Sequence, residues 1–161
     1  NFSKIIEMTD YSHSFTFDED IVKAFKVNHD ITAYCYRIET SNKNIVISGD
    51  TAPCSGINDA CISPTHVLIH EAQNKELIEH MISKAGEHMS KILRYTTQIH
   101  SSASEAVDVA NTNKVEQLVL THVDKLNSFP ISIFSHHHLL SNLKTHNNKN
   151  IIIAHDGLVY S

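Results

Sequence analysis

Three side chains that can bind a divalent cation each follow a short apolar run of the sequence within three residues: His29, Asp50 and His122. Such runs are typical of buried strands, and one carboxylate and two imidazoles at strand ends can converge at one rim of a sheet. There they would form a ligand set for a hard-to-borderline divalent cation. The 13 histidines of this 161-residue chain also favour metal chemistry. No H-x-H or H-x-x-x-D cluster comes before these residues, so they supply only part of a metal site.

Hydrophobic periodicity predicts the strands and helices that would position these residues. Strands are predicted at 4–8, 22–27, 33–39, 45–48, 66–69, 117–120 and 151–154, and helices at 58–62, at 74–93, from 103 and at 130–143. The motif Ser102-Ala103-Ser104-Glu105 has the form of a capping box, and the apolar spacing within 74–93 predicts core packing. Early strands are joined by short turns and later ones alternate with helices. The sequence therefore predicts one α/β domain over 1–161, a mixed sheet with helices on its outer face.

Composition narrows the classes of function. A formal net charge of −5 argues against a general nucleic-acid-binding surface, because phosphate contacts need clustered Lys and Arg. Three cysteines, an odd number without C-x-x-C spacing, predict buried or partly buried free thiols in a reducing compartment. No apolar stretch is long enough to span a bilayer and none has the layout of a signal peptide, so we expect a cytoplasmic protein without a membrane partner.

Motifs spread over most of the chain resemble one known family in their order and spacing. They are Val27-Asn28-His29-Asp30, Tyr34-Cys35-Tyr36-Arg37-Ile38, Ser48-Gly49-Asp50-Thr51-Ala52-Pro53, Leu68-Ile69-His70-Glu71-Ala72, Ile99-His100-Ser101-Ser102-Ala103, Leu120-Thr121-His122 and Asp156-Gly157. Together they resemble the C-terminal half of a metallo-β-lactamase-fold hydrolase, on the branch of ribonuclease Z and the arylsulfatase-like metal-dependent hydrolases. The resemblance implies half of an αββα sandwich.

The resemblance also implies metal ligands. His29 would bind one ion, Asp50 would bridge two ions, and His122 would bind the second. Imidazole with carboxylate ligation suits Zn(II), with Mn(II) or Fe(II) as alternatives. Two ions held about 3.5–4 Å apart would acidify a shared water and clamp the oxygens of the scissile group. An alternative for Asp50 is an ordinary turn aspartate.

Three further residues receive roles from the resemblance. His100 would be the catalytic residue that donates a proton to the leaving group without binding metal. His70 and Glu71 would orient a ligand or His100. Simpler alternatives are that His100 only caps the following helix and that His70-Glu71 only ends a strand.

Two other motifs are given no catalytic role. The run His136-His137-His138 predicts an exposed helix face, because adjacent helical positions point in different directions. Asp156-Gly157 predicts a turn at the edge of the site.

The chain departs from the family in two ways. The family's H-x-H-x-D-H motif, which supplies most of the ligands, is missing, and the first residue is Asn1 rather than Met. We therefore expect a fragment, with a naturally degenerate half as the alternative, and any targeting segment would lie upstream. In ribonuclease Z a tRNA-binding arm is inserted between the positions of His29 and Asp50, where this chain has room for only two strands and a turn.

These features predict a metal-dependent hydrolase of phosphodiester or sulfate-ester substrates. The alternatives are a ribonuclease Z-like tRNA 3′-processing endonuclease and a non-catalytic half-domain that acts by assembly. The predicted partners are a small anionic ester and the missing N-terminal half or another subunit, in a homo-oligomer. The charge and the absent arm disfavour RNA. Activity would require the missing half.

Overall fold

The computed structural model describes residues 12–62, 64–123, 143 and 150–158. Their elements, in chain order, are β1 (Ser12–Phe17), β2 (Asp20–Val27), β3 (Ala33–Glu39), β4 (Asn44–Ile47), α1 (Ser55–Ala60), β5 (Val67–Glu71), α2 (Lys75–Lys84), α3 (Glu87–Ile99), α4 (Ala103–Thr112), β6 (Gln117–Thr121) and β7 (Ile151–Ile153). None of the helices within these ranges has both the length and the apolar character needed to span a membrane.

The seven strands of the described residues form one mixed sheet whose spatial order is the order of the sequence. β1 to β4 pair antiparallel through short turns, whereas β4 to β7 are parallel. The parallel pairs need crossovers, and helices supply them between β4 and β5 and between β5 and β6. The ends of β2, β4, β5 and β6 therefore meet at one rim. This mixed α/β sheet confirms the predicted fold class.

The hydrophobic core lies between one face of the sheet and the helices α1 and α4. Leu68 and Leu118 contribute to it from neighbouring parallel strands and are fully buried. The buried face of α4 consists of three alanines and Val107. Because these side chains are small, the helix can lie close to β5 and β6.

The opposite face of the sheet carries a row of large side chains aligned across five strands. The strand register places them side by side: Tyr36, Ile47, Ile69, Val119 and Ile152. Ile47 is exposed and Val119 is buried, and the other three are half-buried. An apolar face that is partly accessible to solvent is typical of a surface that binds another layer of protein.

The single helix predicted over 74–93 is wrong, because the structure has two helices there. α2 ends at Lys84, and α3 begins after Gly86, whose backbone is extended (φ −67°, ψ 165°). Glycine has a low helix propensity, and a break at this position is consistent with it. The predicted core packing is also wrong for the second half, because Met89 and Ile92 are 50% and 44% exposed.

Several other predictions lie wholly or partly outside the described residues. They are the strand at 4–8, the helix at 130–143 except for Leu143, and the run His136-His137-His138. Leu143 itself is helical and buried. The short helix predicted at 58–62 exists but begins earlier, at Ser55, and ends at Ala60.

Candidate metal centre

Asp50 and His122 meet at the rim where β4 and β6 end. Asp50 Oδ1 lies 2.9 Å from His122 Nδ1, and both side chains are about half exposed. Gly49 has a positive φ of 60°, which glycine adopts without steric cost and which turns the chain just before Asp50. His122 itself has φ 53°, a conformation that is unusual for a residue with a side chain and that clusters at functional sites.

Glu71 and His100 form a second acid–histidine pair, which is buried. Glu71 Oε2 lies 2.8 Å from His100 Nδ1, and Glu71 Oε1 accepts a hydrogen bond from the backbone N–H of Thr51. Burial raises the pKa of the Glu71 carboxyl, and nearby Asp50 raises it further, against the lowering effects of the Thr51 N–H and of His100. Since an ionised carboxylate only accepts, Nδ1 of His100 carries the proton in the ionised pair. Nε2 of His100 is then the nitrogen that can exchange a proton with a substrate.

Hydrogen bonds to backbone carbonyls join the loops that carry the two pairs. Ser101 Oγ donates to the Thr51 carbonyl at 2.6 Å, which ties the residue after His100 to the residue after Asp50. Gln73 N–H donates to the Ser101 carbonyl at 2.8 Å, which ties the same loop to the end of β5. The position of His100 therefore depends on both neighbouring strand ends.

Asp50, Glu71, His100 and His122 each offer a possible ligand atom, and these atoms all lie within 4.8 Å of one another. Two carboxylates and two imidazoles suit Zn(II), Mn(II) or Fe(II). The residues therefore fit a metal ion. The exposed pair, Asp50 and His122, is the part of this set that solvent ions can reach.

His29 lies beside this group but outside it. Its ring centroid is 5.1 Å from that of His100, and its Nδ1 is 3.0 Å from the Ile99 carbonyl oxygen. Nε2 is 3.2 Å from Asp30 Oδ1. Metal-binding histidines usually donate their other ring N–H to a carbonyl or carboxylate, so the contact with Ile99 is compatible with the predicted role. That role stays a prediction.

His70 faces away from the site. Successive residues of β5 point to opposite sides of the sheet, so that Glu71 faces the rim group and His70 faces the helix-covered core. Burial lowers the pKa of the His70 imidazole, and its Nδ1 lies 2.8 Å from the Glu71 carbonyl oxygen. The structure thus brings Glu71 into contact with His100 but does not bring His70 there.

Asp156-Gly157 forms the predicted turn, and Leu158 N–H donates to the His155 carbonyl at 3.0 Å. Gly157 has φ 82°, which suits glycine. Sequence reasoning missed that the Glu71 carboxylate lies among the possible metal ligands and that the Thr51 amide supports it. The first was hidden because 67–69 is apolar throughout, so the sequence did not show which way Glu71 points.

Comparisons with known proteins agree with this fold. No family model matches the chain. Among solved structures, the metallo-β-lactamase fold protein YhfI from Bacillus subtilis superposes with a TM-score of 0.67 at 20% identity over 92% of this chain and 52% of its own. The short form of human tRNase Z superposes with a TM-score of 0.61 at 22% identity, over 94% of this chain and 47% of its own.

Similar sequences point to one branch of the fold. A ribonuclease Z from Mycobacterium sp. strain KMS is 33% identical over 87 residues, which are 54% of this chain and 28% of that protein. A zinc phosphodiesterase ELAC protein 2 homolog from Caenorhabditis elegans is 28% identical over 64% of this chain and 11% of its own length. The match thus spans well under half of these curated relatives. The chain has the metallo-β-lactamase fold, and about half of its sequence is similar to proteins named ribonuclease Z.

Proposed function

We propose that the protein containing this chain is a metal-dependent phosphodiesterase that cleaves RNA. The observation that carries the proposal is the convergence of Asp50, Glu71, His100 and His122 at one sheet rim. The similar proteins named ribonuclease Z and zinc phosphodiesterase favour a phosphodiester over a sulfate ester, and RNA over a small molecule. This reverses the preference drawn from the sequence, where the charge and the absent arm disfavoured RNA.

Asp50 and His122 would hold the metal, together with His29, and Zn(II) in a two-ion site is the proposed form. Such a centre supplies an acidified water and positive charge for the oxygens of the phosphodiester. Glu71 holds His100 in place by accepting from Nδ1. Nε2 of His100 then gives its proton to the departing oxygen, and Glu71 keeps the ring aligned during this transfer.

The test uses the full-length protein with its metal content measured. A synthetic RNA with a 3′ extension and the small diester bis(p-nitrophenyl) phosphate serve as substrates. We expect both to be hydrolysed, with loss of activity on chelation and recovery on adding Zn(II) or Mn(II). Hydrolysis that survives complete metal removal, or a metal-loaded protein that cuts neither substrate, would contradict the proposal.

A small anionic diester as the natural substrate is the second candidate. One observation favours it: the segment between His29 and Asp50 holds only β3, β4 and a turn in which Thr40 N–H donates to the Lys43 carbonyl at 3.0 Å. No arm extends from this segment. A kcat/KM for small diesters far above that for any RNA would support this candidate over the first.

We also propose that the open face of the sheet packs against the other half of the fold, supplied by the same protein or by another subunit. One support is the partly exposed row that contains Ile47 and Ile69. Another is that this chain covers only about half the length of the two solved structures with the same fold. Sedimentation of the isolated segment tests this proposal. A stable, monodisperse monomer would contradict it.

A further inference from the structure

The helix α3 carries a polar and basic surface that the proposed reaction does not use. None of its 13 residues is buried, and it packs along α2. Six side chains of α3 line an open cavity with a volume of about 620 Å³. We call this surface the α3 ledge, and its residues are Glu87, Ser90, Lys91, Arg94, Tyr95 and Gln98. Their spacing of three and four residues places them on one side of the helix.

The charges of the ledge suit an anion. Lys91 and Arg94 are exposed cations one turn apart, and no carboxylate of the described residues pairs with either. Glu87, at the far end of the helix, is the one acidic side chain in the lining. Tyr95 presents an aromatic ring that is half exposed, between the cations and the helix end. In a chain with a net charge of −5, this is a local basic surface.

The ledge lies on the helix that ends directly before His100. α3 ends at Ile99, whose carbonyl contacts His29, and the next residue is His100. At 1.5 Å per residue, Arg94 lies about 9 Å and Lys91 about 14 Å from His100 along the helix axis. A polymer bound at the centre could therefore continue along the ledge, whereas a small diester would end before reaching it.

We propose that the α3 ledge binds the RNA strand adjacent to the scissile phosphate, an inference that rests on the proposed function. Lys91 and Arg94 contact backbone phosphates, and Tyr95 stacks on a base, the combination by which proteins hold single strands without reading sequence. The ledge would thus provide a surface for RNA in a chain that has no arm between β3 and β4. RNA fits better than an apolar partner, because Met89 and Ile92 lie outside the lining of the concave surface.

The experiment compares two double variants of the full-length protein that remove equal charge. Lys91→Gln/Arg94→Gln changes the ledge, and Lys84→Gln/Lys114→Gln changes exposed lysines elsewhere. KM and kcat are measured for the RNA and for bis(p-nitrophenyl) phosphate. RNA affinity is measured separately by fluorescence anisotropy at several salt concentrations with metal removed.

We expect the ledge variant to raise KM for RNA about tenfold, with kcat and the kinetics of the small diester unchanged. The salt dependence of binding should fall by about 0.7 in log–log slope for each lost phosphate contact, or about 1.4 in all. The control variant should match the wild type. Tyr95→Leu should weaken RNA binding about fivefold or more through lost stacking.

Other outcomes overturn the inference. If the ledge variant cuts RNA with unchanged KM and salt slope, the ledge does not bind RNA, and the proposed function stands. If the ledge variant hydrolyses both substrates equally more slowly, the change acts through the metal centre, and the inference is wrong. If the wild type cuts neither substrate, the proposed function fails, and the anisotropy measurements alone test whether the ledge binds RNA. Equal RNA binding by the two double variants then refutes the inference. A loss of RNA binding confined to the ledge variant supports it.

Discussion

The two acid–histidine pairs of the site are held in different ways. In the pair at the end of β5, the side chains of Glu71 and His100 are 2% and 13% exposed, and the protein itself supplies their hydrogen bonds. In the outer pair, the side chains of Asp50 and His122 are 44% and 50% exposed. A buried pair whose carboxylate is hydrogen-bonded through both oxygens is preorganised, whereas an exposed pair gains little from its own contact and remains open to a ligand. If the proposed function holds, we expect metal binding at the outer pair and proton transfer at the inner one.

Removing the outer carboxylate should have the largest effect. Asp50→Ala should abolish metal retention and lower turnover on the order of 10⁴-fold or more, because one carboxylate would serve both ions and their charge stabilisation is worth several kcal/mol. Metal analysis and steady-state rates of the full-length protein measure this. Asp108→Ala, which changes an exposed carboxylate on α4, is the matched control. Full metal content in Asp50→Ala would break the assignment.

Removing the inner imidazole should slow the reaction and leave the metal in place. His100→Ala should lower kcat about 10²–10⁴-fold, the usual contribution of a general acid. His88→Ala, on the exposed surface of α3, is the control, and both variants are compared by metal content and rate. If His100→Ala loses metal as completely as Asp50→Ala, His100 is a ligand and the two pairs do not have separate roles.

Neutralising the inner carboxylate should cost less. Glu71→Gln keeps the size of the side chain but replaces the carboxylate that accepts from His100 Nδ1 with a weaker acceptor, so kcat should fall about 10–100-fold. Metal content should stay at the wild-type level. A variant that binds metal and reacts at the wild-type rate would show that the contact between Glu71 and His100 is only structural.

The same variant reveals how burial affects Glu71. Its pKa is raised above the ordinary value of 4.5, so the folded state holds this proton more tightly than the unfolded state does. The stability that follows is present below pH 4.5 and is lost as the pH rises through the raised value. In metal-free urea unfolding, the wild type should therefore lose stability relative to Glu71→Gln as the pH increases. A constant difference between the two proteins would contradict the raised pKa.

The smallest effect should come from the helix cap behind His100. Ser102 accepts from Glu105 N–H, and Glu105 accepts from Ser102 N–H, which is the predicted capping box. Ser102→Ala should lower the free energy of unfolding by about 1 kcal/mol and change kcat little. Ser83→Ala, which changes an exposed serine on α2, is the control. A rate loss as large as that of Glu71→Gln would mean that the cap also positions His100.

The sequence predicted β2 to β7 but not β1, whose polar segment was not predicted as a strand. β3 lies at the predicted 33–39, and β2 and β4 differ by only one or two residues at their ends, since polar turns separate short apolar runs. The break between α2 and α3 was missed because both helices continue the same apolar spacing, and only Gly86 marked it. That spacing also could not show that Met89 and Ile92 of α3 are exposed.

The site was predicted in part. Asp50, His100 and His122 lie together as the order of motifs implied, because parallel strand ends share one rim. The roles of His70 and Glu71 could not be separated, because the direction of a side chain on a wholly apolar strand depends on which face the helices cover. That depends on packing of distant segments, which local sequence does not contain.

The spatial order of the strands has a consequence for how the protein is made. Each strand joins the edge of a sheet built from residues already synthesised, so most of the sheet can form as the chain is extended. The two acid–histidine pairs can form at different times during synthesis. His100 follows Glu71 by 29 positions in the sequence, whereas His122 follows Asp50 by 72. The growing chain therefore completes the pair of Glu71 and His100 before the pair of Asp50 and His122. A ribosome that stops before β6 would release a sheet that can orient His100 but lacks His122 as a partner for Asp50.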